Sequence, residues 1–152
     1  MLLQLVIASA MVMVTVVVHL IGLGVLVRLL RSHHQRVGRF RIAPLTLLFG
    51  ASLGLFAIHT IEIWLYAALY IVLAALGSFE QALYFSTVTY ATIGYGDVVL
   101  AHPWRILGAI EGATGIMMLG WSTAFLVSLL TQVRLLSHDW LAGTSHSAQR
   151  SG

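Results

Sequence analysis

The chain is 152 residues long, 59% hydrophobic and only 9% charged, with a formal net charge of +3 at pH 7. No soluble domain of this size needs so apolar a surface, so the composition is that of a membrane protein. The positive charge is all arginine, five of the eight in one cluster flanked by apolar spans, which argues against a nucleic-acid surface, and the lack of cysteine excludes disulfides and thiolate metal sites.

Leu2 to Val27 is an apolar run interrupted only by Gln4, Ser9, Thr15 and His19. At about 1.5 Å per residue it crosses a bilayer core of about 30 Å with some tilt. A cleavable leader is the competing reading, with Ala8-Ser9-Ala10 as a faint cleavage site. No basic residue precedes the run, however, and it is too long for a leader's apolar core. Residues 1–30 are therefore expected to be a peripheral transmembrane helix. Residues 31–42 are expected to be a basic cytoplasmic loop, because Arg28, Arg31, Arg36, Arg39 and Arg41 fall within one short window. His33 and His34 read as solvated loop residues rather than a metal site.

Pro44 sits where a first helical turn tolerates proline. The chain is then apolar from Leu45 to Leu76, with Trp64, Tyr66 and Tyr70 toward the far end, where aromatic residues favour an interface. This helix is longer than a bilayer requires and must tilt or run partly along the surface. Gly77-Ser78 ends it. Ser78 with Gln81 three residues on is a capping-box pattern and starts a short helix over 79–90. That helix is too short to cross, and it leads into glycine-rich backbone. Such a re-entrant segment is allowed at membrane depth only where protein or water covers it. His102-Pro103-Trp104-Arg105 reads as an interfacial turn, residues 106–136 as a third span, and residues 137–152 as a flexible tail. Arginine placement puts the 28–41 loop and Arg134 inside and the amino terminus outside. The fold class is thus an all-α membrane protein with three transmembrane helices, a re-entrant helix and an irregular loop.

The loop reads Thr92-Ile93-Gly94-Tyr95-Gly96, followed by Asp97. Glycines at alternate positions supply backbone conformations that other residues resist. At this string the chain resembles the potassium-channel family, whose selectivity filter is written Thr-Val/Ile-Gly-Tyr-Gly, usually followed by Asp. The resemblance extends over residues 43–136 as a pore module: outer helix, pore helix 79–90, filter 92–96 and inner helix 106–136. It implies that K⁺ is bound by the Thr92 hydroxyl and by the carbonyls of Thr92, Ile93, Gly94 and Tyr95, with Gly96 at the outer mouth. It implies further that Tyr95 braces the filter from behind, that Thr89 braces the helix–filter junction, and that Asp97 bonds an aromatic on the pore helix, here Tyr84. Some relatives add a glutamate on that helix, but the matching position is Val88. One chain contributes one filter loop, so the resemblance implies a homotetramer.

The pore helix aims its carboxyl end, with its partial negative charge, at the cavity below Thr92. On the third span, Ile116, Leu119, Thr123, Val127 and Thr131 recur at three- and four-residue spacing and share one face, aligned with the family's pore-lining stripe. Gly115 matches the position where family inner helices bend, and Gly120 is a second hinge candidate. Close helix packing is the alternative for both. His19, His59, Glu62 and Glu111 are ionisable groups at membrane depth, which usually face protein or water. His59 and Glu62 lie three apart on one helical face and pair either as a structural clasp or as a proton-sensitive switch. Glu111 is expected to bond hydroxyls or backbone behind the short helix.

The resulting expectation is a potassium-selective channel conducting passively through a homotetrameric pore in the cell membrane. No cofactor is implied beyond K⁺ as the permeant ion. Membrane lipid and other copies of the chain are the expected partners. No nucleic acid, no ligand-binding domain, no voltage sensor and no enzyme chemistry are indicated. Rival readings are a non-selective cation channel, a transporter-associated membrane subunit, and a non-conducting subunit that uses the fold only for assembly.

Overall fold

The computed structural model describes residues 2–37 and 43–148, with side chains described over 2–32 and 46–132. Four helices follow one another: α1 (Leu2–Val37), α2 (Ala43–Val72), α3 (Phe79–Tyr90) and α4 (Arg105–Ala148), with a 3₁₀ turn at His102–Trp104 leading into α4. There is no strand among the described residues. Stretches of α1 and α2 (Leu2–Ser32 and Thr46–Val72), and of the 3₁₀ turn continued by α4 (His102–Gln132), are long and apolar enough to cross a membrane. The 12-residue α3 reaches only about 18 Å and cannot.

Three boundaries differ from expectation. The first helix continues through residues 31–37, expected as loop, because charge marks the membrane face without stopping a helix. Nothing from Arg28 to Val37 is a proline or glycine. Of the basic loop, residues 38–42, with Arg39 and Arg41, lie outside the described residues, as do the His33 and His34 side chains. At the other end, α4 runs on to Ala148 through most of the expected flexible tail 137–152. That stretch has no proline, and Gly143 alone costs a helix about 1 kcal/mol. Residues 149–152 and the Arg134 side chain lie outside the described residues.

The third difference is at α2, which stops at Val72 although the sequence stays apolar to Leu76. Ala74 adopts a left-handed conformation at φ 49°. The Ala75 amide donates to the Tyr70 carbonyl at 2.9 Å and the Ala74 amide to Ile71 at 3.0 Å. This paired pattern closes a helix end, usually around glycine.

α3 begins from its cap Ser78 as expected, with the return bond of the capping box shifted one residue back to Gly77. The Gln81 amide donates to the Ser78 hydroxyl at 3.2 Å, while the Gln81 side chain accepts from the Gly77 amide at 3.3 Å. Glu80 in the first turn complements the helix dipole.

α1 packs on α2 and α4, and α3 on α2 and α4. Tyr66, Tyr70, Ala82, Tyr90, Leu107 and Met118 form the centre of the main core. Lower on α1 and α2, two glycines let the helices approach. A Cβ on Gly22 would lie 2.7 Å from Ile58, and one on Gly54 would lie 2.4 Å from Leu26. Small residues at such crossings are a common means of helix association in lipid, where the hydrophobic effect gives little drive.

Candidate functional site

The Thr92–Gly96 loop leaves α3 under backbone control. The Thr92 amide donates to Thr89 at 3.0 Å, and the Ile93 and Gly94 amides both reach the Val88 carbonyl, at 2.9 and 3.3 Å. Thr89 thus holds the junction through its own carbonyl. Beyond it, φ is positive at every second residue: 58° at Thr92, 61° at Gly94 and 78° at Gly96. In plain extended chain, successive carbonyls alternate sides. Reversing the sign of φ at alternate residues turns every other peptide plane over and brings neighbouring carbonyls toward one side. Gly94 and Gly96 adopt this without a Cβ penalty. Neither has a non-neighbouring atom within 4 Å of where a Cβ would stand, so conformation and not space requires glycine there. Thr92 is β-branched and pays about 1–3 kcal/mol for its geometry. Strain of this kind concentrates at functional positions, and here the Thr89 and Val88 carbonyls hold it in place.

In the single chain the loop is open. All five residues Thr92 to Gly96 are exposed, and Tyr95 is 71% exposed. Asp97 does have a partner: the Tyr84 hydroxyl donates to Asp97 Oδ2 at 2.7 Å. That bond holds the Asp97 carboxyl below its usual range and pushes the Tyr84 hydroxyl up. Val88, on the same helix, is buried and apolar.

Behind the loop lies a polar cluster joining all four helices. His19 Nδ1 of α1 sits 3.0 Å from Glu62 Oε1, and His59 Nδ1 sits 3.0 Å from Glu62 Oε2. The Tyr90 hydroxyl, at the end of α3, donates to the same Oε2. His59 Nδ1 is also 3.1 Å from that hydroxyl, and its Nε2 is 2.9 Å from Ser122 Oγ on α4. Glu62 and His19 are fully buried. A carboxylate taken out of water needs donors, and Glu62 has them on both oxygens. The Nδ1 contact is the one described hydrogen bond of His19, since its Nε2 is buried without a partner.

A second buried carboxylate stands nearby. Glu111 of α4 accepts from Tyr70 of α2 and from Ser86 of α3, whose hydroxyl also lies 3.0 Å from the Ile63 carbonyl. The two acids therefore fasten α3 to the helices around it, Glu62 at its carboxyl end and Glu111 near its middle.

On α4, Ile116, Leu119, Thr123, Val127 and Thr131 are all exposed in the single chain. Thr123 and Thr131 donate to the Leu119 and Val127 carbonyls one turn back, both at 2.9 Å. Gly120 has open space around it. Gly115 does not: a Cβ there would stand 2.2 Å from the Tyr90 carbonyl oxygen. Close approach of α4 to the end of α3 accounts for Gly115.

His19, His59 and Glu62 also place three donor atoms within 4.8 Å of one another. That spacing suits a divalent cation, but the same atoms already satisfy one another by hydrogen bonds.

Sequence reasoning paired His59 with Glu62 and missed the partners that complete the cluster. His19 was noted only as a buried ionisable group. Tyr90 and Ser122 complete the Glu62 cluster with no signal in spacing, while Tyr70 and Ser86 supply the hydroxyls that Glu111 bonds. The available signal was hydroxyl-bearing residues on faces that an apolar span could have filled with aliphatic ones.

Comparison with curated proteins gave no match, and neither did comparison with solved structures. A family model described as ion channel matches residues 45–132, from the first turn of α2 through the membrane-crossing part of α4. The matched stretch holds the re-entrant helix, the loop of alternating φ and the inner helix, and on that match the chain belongs to the ion channel family.

Proposed function

We propose that four copies of this chain form a potassium-selective channel, with one Thr92–Gly96 loop from each lining a common axis. The observation that carries this reading is the alternation of positive φ at Thr92, Gly94 and Gly96. It suits a backbone that offers a column of carbonyl oxygens in place of water to a bare cation. The ion sites are the Thr92 hydroxyl and the carbonyls of Thr92, Ile93, Gly94 and Tyr95. Tyr95, exposed in one chain, gains its bracing contacts from a neighbouring copy. The exposed face carrying Ile116, Leu119, Thr123, Val127 and Thr131 lines the cavity below. The α3 carboxyl end, with its partial negative charge, favours a cation there. Arg28 and Arg31 near the end of α1 favour a cytoplasmic position for that end, with the loop toward the outside.

The test is reconstitution of this chain alone in liposomes, with reversal potentials read in mixed potassium and sodium. Potassium-selective current with a tetramer by native mass spectrometry is expected. Equal permeability to sodium, or a dominant monomer, overturns the reading.

A further inference from the structure

We propose that α1, which lies outside the matched residues 45–132, helps set ion selectivity, and that His19 is the positioning residue through which it acts. This inference rests on the channel reading above. The residues matched to the ion channel family begin at α2 and leave α1 out. Yet α1 inserts a fully buried histidine into the cluster that holds the last residue of α3.

The chain of contacts is short. His19 engages Glu62 Oε1 and leaves Oε2 to Tyr90 and His59. Tyr90 is the last residue of α3 and precedes the strained Thr92 by two positions. Its hydroxyl is tied to Glu62, and its carbonyl is pressed against Gly115 of α4. The Tyr90 side chain and backbone are therefore both fixed, one by a carboxylate and one by a helix wall. Any turn of a carboxylate about its last bond moves both oxygens, so donors on both restrain it more than donors on one. With His19 on Oε1, turning Glu62 breaks buried bonds at both oxygens at once. His19 fixes the rotation of Glu62, Glu62 fixes the Tyr90 ring, and Tyr90 sets where the filter strand begins. His59, anchored by Ser122 on its other nitrogen, holds Oε2 from the far side.

The glycine crossings show that α1 is docked with little slack. Gly22 stands three residues from His19 and meets Ile58, the neighbour of His59. The helix that delivers His19 is thus located at the same level as the cluster it serves.

Reversal potentials of the full chain in liposomes read this directly, because they do not depend on how many channels are folded. Wild type, His19→Leu, His19→Asn and Tyr90→Phe are compared. Asparagine places an amide N–H close to where the Nδ1 donor stood. His19→Leu and Tyr90→Phe are each expected to raise relative sodium permeability about tenfold, the scale of one lost bond to a buried charge. His19→Asn is expected to restore most of the preference. Unchanged reversal potentials in His19→Leu, beside a selective wild type, overturn the inference and leave His19 as a packing residue. Failure of His19→Asn to restore selectivity overturns the hydrogen-bond route. Should His19→Leu not assemble, Tyr90→Phe, which keeps the ring, decides: wild-type selectivity there overturns the inference. A non-selective wild type instead overturns the channel reading on which this rests.

Discussion

Gly115 and the Tyr90 carbonyl are in contact so close that the smallest side chain would not fit between them: a Cβ would stand 2.2 Å from the oxygen and 2.9 Å from the carbon. The obstacle is backbone, which cannot swing aside as a flexible side chain does. Gly115→Ala should therefore push α4 away from the end of α3, at about 1–3 kcal/mol for overpacking. It should disturb the filter at its base. Gly120 has nothing within 4 Å, so Gly120→Ala should be tolerated and stiffen α4 by up to about 1 kcal/mol. Thermal dissociation of the assembled protein, followed by native electrophoresis, compares the two. Equal effects would mean that both glycines serve bending and that the contact is incidental.

The sequence made parts of this arrangement legible and hid others for identifiable reasons. Apolar length marked the spans, and Ser78 with Gln81 marked the start of α3, because those signals are local. The ends of α1 and α4 were hidden because arginine and serine-rich polarity records where water begins, not where helix stops. The end of α2 was hidden because its left-handed residue is Ala74, not glycine. The TIGYG string announced the loop through residue type alone. The Glu62 cluster could be read only in part, since His59 is one helical turn away while His19 is 43 residues distant in the chain. Tyr90 reads as an ordinary aromatic helix residue until the fold brings Glu62 to its hydroxyl. Gly115 was open between bend and packing because a glycine's neighbours cannot be read from sequence.

Gly94 and Gly96 give a cleaner backbone test than Gly115. Both have φ in the left-handed region, 61° and 78°, and empty space where a Cβ would point. Within its own chain, alanine at either position would clash with nothing, so conformation carries the cost there, about 1–2 kcal/mol per left-handed residue. Gly94→Ala is expected to abolish selective flux while leaving the tetramer intact, because the loop packs little against its own chain. Tyr95→Val should weaken potassium preference without abolishing current. Liposome flux paired with native mass spectrometry separates these outcomes. Unchanged permeability ratios in both variants would remove the filter assignment.

Ala74 predicts a stabilising change. Its φ of 49° carries a cost of about 1–2 kcal/mol that glycine would not bear, partly offset by glycine's greater freedom when unfolded. Ala74→Gly should raise thermal stability by up to about 1 kcal/mol without altering permeability. The bonds from Ala75 to Tyr70 and from Ala74 to Ile71 depend on backbone and persist. A destabilised variant would show that the Ala74 methyl contributes packing that outweighs its strain.

The Tyr84–Asp97 bond, beside the proposed filter, responds to acid in a definite direction. The hydrogen bond from Tyr84 lowers the Asp97 carboxyl from its usual range. Its contribution is fully present above the unfolded carboxyl value of about 3.9 and is lost as pH falls through the lowered folded value. The Tyr84 hydroxyl is raised by the same bond, so its share is complete below its unfolded value of about 10 and is lost only as pH rises through the raised one. Between these limits the contact should be insensitive to pH. Tyr84→Phe removes the donor, so Asp97 should titrate at a higher pH than in the wild type, and acid should disturb the filter sooner. Carbon-13 shifts of the Asp97 carboxyl against pH, in the reconstituted protein, measure both midpoints. Coincident midpoints would mean that Tyr84 does not hold Asp97 in the assembled channel.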